Sequence, residues 1–188
     1  MTIYFILAAY SALLAGIVVF LIFETYTLLI APAKGSPYAP TKRGQIIRML
    51  EIAGVNPGEL MLDLGSGTGS ALIAAAAQGA RATGIEINPF FVWYSRWRIR
   101  RRGLSHLASV ARGDLFEYPT GDADVIFLFL VPDALRRLYP KLRSELKPGS
   151  RIVSYLFPID GWMPEKEEDR IFLYSNVIQA KLTSSDPS

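Results

Sequence analysis

A glycine-rich loop between a strand and a helix constrains the fold of this chain more than any other feature. The stretch LDLGSGTGS, Leu62–Ser70, follows a short apolar run and leads into an alanine-rich segment. Glycines let the backbone turn sharply there and approach a ligand closely, with the N–H groups of the helix start directed at that ligand. Ser70 stands where the dinucleotide fingerprint G-x-G-x-x-G carries its third glycine, so the loop does not predict an NAD or FAD site.

Apolar strands alternate with helical segments over most of the chain. We predict strands at Leu60–Leu64, Ala82–Ile87, Ala108–Asp114, Asp124–Val131 and Arg151–Phe157, and one or two closing strands in Arg170–Leu182 with a turn at Ser175-Asn176. Continuous apolar strands separated by helices indicate a mainly parallel sheet that is covered on both faces. Because parallel crossovers are right-handed, the predicted fold is a doubly wound α/β sandwich.

An acidic residue ends each of the first three predicted strands, and together these acids indicate a ligand. Asp63 would repel a pyrophosphate but could pair with an ammonium group. Glu86 lies about 20 residues further on, where doubly wound folds hydrogen-bond ribose hydroxyls. Asp114 can accept a hydrogen bond from an adenine amino group. Ammonium, ribose and adenine without phosphate describe S-adenosylmethionine.

The N-terminal segment Ile3–Phe23 is uncharged and apolar. Roughly 20 such residues match the ~30 Å hydrocarbon core of a bilayer. We predict a retained membrane anchor rather than a cleaved signal peptide, because the run exceeds the usual ~7–15 residue core of a signal and no Lys or Arg precedes it. Lys34, Lys42 and Arg43 follow the segment, so the positive-inside rule predicts a single-pass protein whose remaining chain faces the cytoplasm.

The predicted organisation has three parts. Residues 1–31 form the transmembrane anchor, residues 32–44 a Pro- and Gly-containing linker, and residues 45–183 the α/β domain. We expect Thr41 to cap the helix that follows the linker and Gly54 to end it. The chain has no cysteine and one histidine, which excludes disulfides and thiolate chemistry and predicts no metal site.

The motifs of the domain resemble those of the class I, seven-strand S-adenosylmethionine-dependent methyltransferases. LDLGSGTG is similar to their first motif, GIEIN to the second, GDLF to the third, and LKPGSRIV to the lead-in to strand five. The resemblance implies a Rossmann-like seven-strand sheet and S-adenosylmethionine as cofactor. The residues it implies for cofactor binding are Asp63, Gly65, Ser66, Gly67, Gly69, Glu86, Ile87, Asn88, Asp114 and Leu115.

A narrower resemblance covers nearly the whole chain. EINPFFVWYSRWRIRRRG, GDLF, VP before an amphipathic helix, and FPIDGWMP resemble a family of membrane-anchored protein-lysine methyltransferases, whose mitochondrial members modify the ATP synthase c subunit and the adenine nucleotide translocase. The resemblance implies a protein substrate in or near the membrane. Thr68 and Ser70 depart from the family pattern, which bears on the substrate and not on the cofactor.

The sequence identifies no catalytic residue, but four residues are candidates for a substrate channel. Val131 and Pro132 follow the fourth strand and would place apolar walls and a backbone carbonyl beside the methyl group. Tyr38 and Trp162 are candidate lids by the family resemblance. Each has an alternative interpretation, Tyr38 as a linker residue and Trp162 as a core residue.

Two other functions stay open at this point. A methyltransferase acting on a lipid or quinone head group, and an anchored cofactor-binding module without turnover, would share the same motifs. We interpret the aromatic stripe Phe90, Trp93, Tyr94 and Trp97 as packing that supports the strand end at Glu86. The arginines of Arg96–Arg102 do not share one helix face, so we do not predict a nucleic-acid partner; a solvated helix end and contact with lipid head groups stay open.

Overall fold

A computed structural model describes residues 1–25 and 41–175, which belong to two separate compact units. The first unit contains helix α1, Thr2–Thr25. The segment Thr2–Ile22 of this helix is strongly apolar, and none of it is buried. By length and composition the helix could cross a membrane, as the sequence predicts, although a signal sequence would share both properties.

The second unit is built on a seven-stranded sheet with the order β3-β2-β1-β4-β5-β7-β6. Strands β1 to β5 are parallel, β7 runs antiparallel to β5, and β6 antiparallel to β7. The strands are β1 Leu60–Leu64, β2 Arg81–Glu86, β3 Ala108–Arg112, β4 Val125–Leu128, β5 Arg151–Tyr155, β6 Lys166–Glu168 and β7 Ile171–Ser175. The predicted mainly parallel sheet is confirmed.

Helices cover both faces of this sheet. They are α2 Arg43–Ala53, α3 Ser70–Ala77, α4 Pro89–Arg101 and α5 Pro132–Glu145. Apolar residues of α2, α3 and α4 share one core with strand residues such as Met61 and Phe127. Residues of α5 form a second core on the opposite face with Leu64 and Leu128. This two-sided packing, in which neighbouring strand residues point to opposite cores, confirms the doubly wound arrangement.

The closing hairpin differs from the prediction. Its first strand, β6, is the polar stretch Lys166–Glu168, which carries no apolar pattern and so was not predicted. Asp169 and Arg170 connect it to β7 with φ angles of 52° and 60°, the left-handed values that a tight two-residue hairpin turn needs. Ser175 ends β7, and the turn and strand predicted beyond it lie outside the described residues.

Two helix-level predictions were wrong. Lys42, not Thr41, occupies the N-cap position of α2, and its side chain makes no capping hydrogen bond. The aromatic residues of α4 do not pack against the sheet. Its buried line consists of Val92, Ser95 and Ile99, whereas Phe90, Trp93 and Trp97 are exposed. Small and aliphatic side chains allow the close helix–sheet contact that bulky indoles would prevent.

Candidate active site

The glycine loop follows β1 and is fastened to the neighbouring strand β2. Its three glycines, Gly65, Gly67 and Gly69, have φ angles of 89°, 50° and 71°, in the left-handed region that favours glycine. The N–H groups of Gly65 and Ser66 both donate to the carbonyl oxygen of Ile85, at 2.9 and 3.0 Å. The loop therefore has one defined shape before any ligand binds.

Glu86 is the last residue of β2 and joins two loops at the carboxyl edge of the sheet. It is 9% exposed. One carboxylate oxygen accepts from the N–H of Gly67 at 2.8 Å, and the other accepts from the N–H of Asn88 at 2.8 Å. Burial raises the pKa of Glu86, and these backbone hydrogen bonds act in the opposite direction. The sequence located this acid at the site, but its contact with the glycine loop was not foreseen.

Asp63 is the penultimate residue of β1 and lies beside Gly84 of β2 in the sheet register. Burial raises the pKa of the Asp63 carboxyl group to about 7, and the negative charge of Glu86 contributes to this rise. Two neighbouring carboxylates repel each other, and this repulsion disfavours the ionised form of both. A cation that binds between or beside them removes the repulsion. The pair therefore fits a ligand that carries an ammonium group, as the sequence predicts.

The third acid lies beyond its strand rather than in it. β3 ends at Arg112, two residues before the predicted end, because Asp114 forms a turn in which its side chain accepts from the N–H of Phe116 at 2.9 Å. Asp114 is half-buried, and Leu115 is buried in the core on the α5 face. The acid still lies at the carboxyl edge, since its strand is parallel to β2.

The residues after Glu86 begin helix α4. Asn88 is buried and is the N-cap of this helix, where its side-chain oxygen accepts from the N–H of Phe90 at 2.9 Å. Pro89 occupies the first turn, and Ile87 is half-buried. Asn88 thus has a structural role in addition to the cofactor contact implied by the resemblance.

A crevice is expected where the chain order of the sheet reverses, between β1 and β4. The segment after β4 borders the glycine loop, because Leu130 lies 3.6 Å from the position that a Cβ atom on Gly65 would take. β4 ends at Leu128, earlier than predicted, so Val131 is the half-buried N-cap of α5 and Pro132 is its exposed first residue. Their role as walls of a substrate channel stays a prediction, and Tyr38 lies outside the described residues.

Trp162 is a core residue in this structure. It is 4% exposed and packs against Tyr139 and Tyr174, with ring centroids 5.6 Å away in each case. Its placement agrees with the core alternative rather than with an exposed lid. Its indole nitrogen is buried and has no hydrogen-bond partner among the described residues.

Two arginines of α4 hydrogen-bond neighbouring elements, and one of them contacts the glycine loop, which the sequence did not reveal. Arg98 donates to the carbonyl oxygen of Thr68 at 2.5 Å and to the hydroxyl of Ser70 at 2.9 Å. Arg96 donates twice to the carbonyl of Val110, at 2.6 and 2.9 Å. Arg98 therefore contacts the end of the glycine loop, and Arg96, although exposed to solvent, contacts β3; a solvated helix end, one of the two interpretations that the sequence left open, does not describe Arg98.

An aromatic pair beside the crevice was also missed. Phe129 and Tyr155 lie at the carboxyl ends of the neighbouring strands β4 and β5, with centroids 5.1 Å apart and planes at 59°. Both side chains are half-buried. Their positions depend on which strands become neighbours, and no local sequence pattern marks that. Within residues 1–25 and 41–175, no group of three or more histidine or acidic side chains could hold a metal ion.

Comparison with known proteins identifies the family of this chain. The family model "ANTKMT methyltransferase domain" matches residues 63–166. A protein-lysine N-methyltransferase from Saccharolobus islandicus (strain REY15A) is 39% identical over 132 residues, 69% of this chain and 82% of the relative. The adenine nucleotide translocase lysine N-methyltransferase of Mus musculus is 36% identical over 73% of this chain, but the match spans 62% of that relative, under two thirds of its length.

A solved structure supports the cofactor. It is that of an RNA methyltransferase from Salinibacter ruber in complex with S-adenosyl-L-homocysteine, and it is 36% identical with a TM-score of 0.69. The match covers 72% of this chain and 91% of that chain. The glycine loop and its carboxylates suit the aminoacyl and ribose groups of S-adenosylmethionine. The chain therefore belongs to the ANTKMT methyltransferase domain family and is an S-adenosylmethionine-dependent methyltransferase.

Proposed function

We propose that this enzyme methylates the side-chain amine of a lysine in a protein that lies in or beside the membrane. The observation that carries the proposal is the 39% identity, over 82% of the relative's length, to a protein-lysine N-methyltransferase. The apolar helix α1 supports a substrate in or beside the membrane. An anchor would confine the domain to the bilayer surface and raise the effective concentration of neighbouring substrates.

We assign the cofactor contacts residue by residue. Asp63 pairs with the ammonium group, Glu86 accepts from the ribose hydroxyls with its remaining lone pairs, and Asp114 accepts from the adenine amino group. The Asp63 and Glu86 carboxyl groups support this assignment, since a bound cation offsets both the burial and the repulsion from Glu86 that raise the pKa of Asp63. The loop residues Gly65, Ser66, Gly67 and Gly69 and the flanking Ile87, Asn88 and Leu115 complete the binding surface.

When bound, the cofactor supplies a methyl group on a sulfonium. The protein's task is to position and deprotonate the lysine, whose amine has a pKa near ~10.4 in water. An apolar channel along Val131 and Pro132 lowers that pKa by desolvation, because the neutral amine loses less on leaving water. The lysine ammonium would release one proton to solvent on becoming neutral, and the neutral amine would then take the methyl group from the sulfonium, which would leave as a thioether.

The substrate class can be tested by transfer of a labelled methyl group in membranes. Vesicles from cells that express the full chain, incubated with methyl-labelled cofactor, should show label in a protein band, and mass spectrometry should place it on lysine. The Asp63→Ala variant is the matched control, because it should retain the anchor and lose the cofactor. Label confined to extracted lipid, or to RNA as in the name of the Salinibacter ruber enzyme, would contradict the lysine proposal.

The same vesicles test the orientation of the domain. We propose a single-pass protein whose catalytic unit faces the cytoplasm, supported by the uncharged segment of α1 and by the Lys and Arg residues that follow it in the sequence. The charged cofactor does not cross a sealed bilayer, so labelling should occur in inside-out vesicles and be absent from right-side-out vesicles. The reverse pattern would place the domain on the other side.

The affinity for the cofactor should depend on pH through Asp63. In the free protein this carboxyl group is protonated below its pKa of about 7, and pairing with an ammonium requires the ionised form. Each pH unit below that value should therefore weaken binding by up to about tenfold, or about 1.4 kcal/mol. Calorimetry between about pH 6 and 7.5 measures this slope, because the cofactor's own α-amino group titrates only near ~7.7–8.0.

The matched variant for this measurement is Asp63→Asn. It should bind the cofactor weakly and show a much flatter pH profile over the same interval, because the group that titrates is gone. The pKa of Glu86 is also raised by burial, and this residue is present in both proteins, so the comparison isolates the contribution of Asp63. An equal slope in the wild type and in Asp63→Asn would remove Asp63 from the cofactor assignment.

A further inference from the structure

The outer face of helix α4 exposes more large apolar surface than any other described element of the catalytic unit. Phe90, Trp93 and Trp97 are 50%, 58% and 40% exposed. Between residues 41 and 175, only five large hydrophobic side chains are exposed, and the other two, Ile47 and Met163, lie apart on different elements. Isolated exposed residues need no explanation, but three on one helix face form a patch of the kind that marks an interaction surface.

The patch is ordered by contacts within the helix. Phe90 stacks on Tyr94 with ring planes at 2° and centroids 6.1 Å apart, and Tyr94 stacks on Trp97 at 22° and 5.7 Å. The guanidinium of Arg101 lies over the Trp97 ring, 5.3 Å from its centroid. Because the rings already hold one another in place, little side-chain freedom is lost when the patch binds a surface.

The charge of this face is entirely positive. Helix α4 contains no acidic residue. Arg96, although exposed, and Arg98 donate to backbone carbonyl oxygens, and Arg100, Arg101 and Arg102 are exposed. On a helix, positions 90, 93, 94, 97, 100 and 101 share the side opposite the buried line. The face therefore combines aromatic rings with exposed cations.

Aromatic rings beside arginines match the interfacial zone of a bilayer. Tryptophan and tyrosine favour the head-group level, and a helix of this kind lies with its apolar side ~5–10 Å into the boundary between head groups and acyl chains. Exposed arginines add attraction to anionic lipid. A nucleic-acid partner is less suited, since the bulky rings occupy the centre of the face where phosphate contacts would form.

We propose that this α4 face, made of Phe90, Trp93, Tyr94, Trp97, Arg100 and Arg101, is a second membrane contact that binds the anionic surface of the bilayer. The inference rests on the proposed membrane attachment through α1. Helix α4 begins directly after Glu86 and Asn88, so its first turn lies at the carboxyl edge of the sheet. Docking of the face would fix the orientation of the cofactor site relative to the membrane, in addition to its distance.

The three tryptophans of the chain provide a direct test, because two of them, Trp93 and Trp97, lie on this face and the third is the buried Trp162. The full chain is reconstituted into vesicles of phosphatidylcholine and phosphatidylglycerol whose acyl chains carry bromine at a shallow position. Bromine quenches indole emission only on contact, so we expect loss of up to about two thirds of the emission relative to unbrominated vesicles. The Trp93→Phe, Trp97→Phe double variant should be nearly unquenched.

Charge is tested with two matched double variants. Arg100→Gln with Arg101→Gln should reduce the quenching in anionic vesicles, whereas Arg136→Gln with Arg143→Gln, on helix α5 at the opposite face of the sheet, should leave it unchanged. Equal quenching in all three proteins, or in vesicles of phosphatidylcholine alone, would overturn the assignment to anionic lipid.

Flotation of the same vesicles separates this inference from the proposed attachment. A chain that floats with the vesicles but keeps its full emission would overturn the α4 contact and leave the anchor in place. Protection of Trp93 and Trp97 from aqueous acrylamide in that sample would assign the face to contact with a second copy of this chain instead. If the chain does not float with the vesicles, the result contradicts the proposed anchor and also the α4 contact, which rests on it.

Discussion

Replacing Glu86 with alanine should weaken S-adenosylmethionine binding by at least about 100-fold, or about 3 kcal/mol. The substitution removes the proposed hydrogen bonds to ribose. It also leaves the buried N–H groups of Gly67 and Asn88 without the acceptor that each has at 2.8 Å. An unsatisfied buried donor costs about 1–3 kcal/mol, so the loop and the turn into α4 should both lose their fixed shape.

The experiment compares calorimetric affinity with thermal unfolding in three proteins. Glu86→Gln keeps one side-chain oxygen but turns an amide N–H₂ towards one of the two backbone donors, so its affinity should fall between those of wild type and Glu86→Ala. Glu117→Ala removes an exposed acid three residues beyond Asp114 and should bind normally. Unchanged affinity in Glu86→Ala would remove this residue from the cofactor site.

The three strand-end acids illustrate what the sequence can predict. Their common position follows from topology, because the carboxyl ends of parallel strands meet at one edge whatever the side-chain details. The predicted strand ends differ from the observed ones by up to three residues. In β4 the hydrophobic pattern continues into Leu130, whereas the hydrogen-bonded ladder stops at Leu128. That error does not move a residue away from the edge.

Helix α4 shows where sequence reasoning fails. Helical spacing correctly groups Phe90, Trp93, Tyr94 and Trp97 on one side, and hydropathy alone then predicts that this side is buried. The opposite side is buried because a Cβ atom on Gly69 would lie only 2.9 Å from the Cβ of Ser95, and such close approach excludes an indole. The contact of Arg98 with Thr68 depends on the same packing and has no local signature.

Gly84 is the position where a single methyl group should disturb the site most. It lies in β2, where it pairs with Asp63 of β1. A Cβ atom there would lie 2.4 Å from the Ser66 hydroxyl, 2.6 Å from the Ser66 Cβ and 2.6 Å from Leu72. The Leu72 contact involves the end of a flexible side chain, but Ser66 belongs to the glycine loop and cannot move without it.

Gly84→Ala should therefore lower the free energy of unfolding by about 1–3 kcal/mol and weaken cofactor binding as well. Gly113→Ala is the matched control, because the nearest atom to its new methyl group is 3.7 Å away. Neither glycine has a positive φ angle, so both substitutions suit the backbone and differ in steric contact alone. Denaturant titration and calorimetry measure the two effects.

A double-mutant cycle with Ser66→Gly identifies the cause of the Gly84 effect. Removing the Ser66 side chain eliminates both contacts with the loop, so Gly84→Ala should cost less in the Ser66→Gly background than in the wild type. The hydroxyl of Ser66 is buried without a hydrogen-bond partner among the described residues, so its loss forfeits no such bond in the free protein. An undiminished cost would show that the methyl group acts through Leu72 and the α3 core, and that the glycine loop tolerates a side chain behind it.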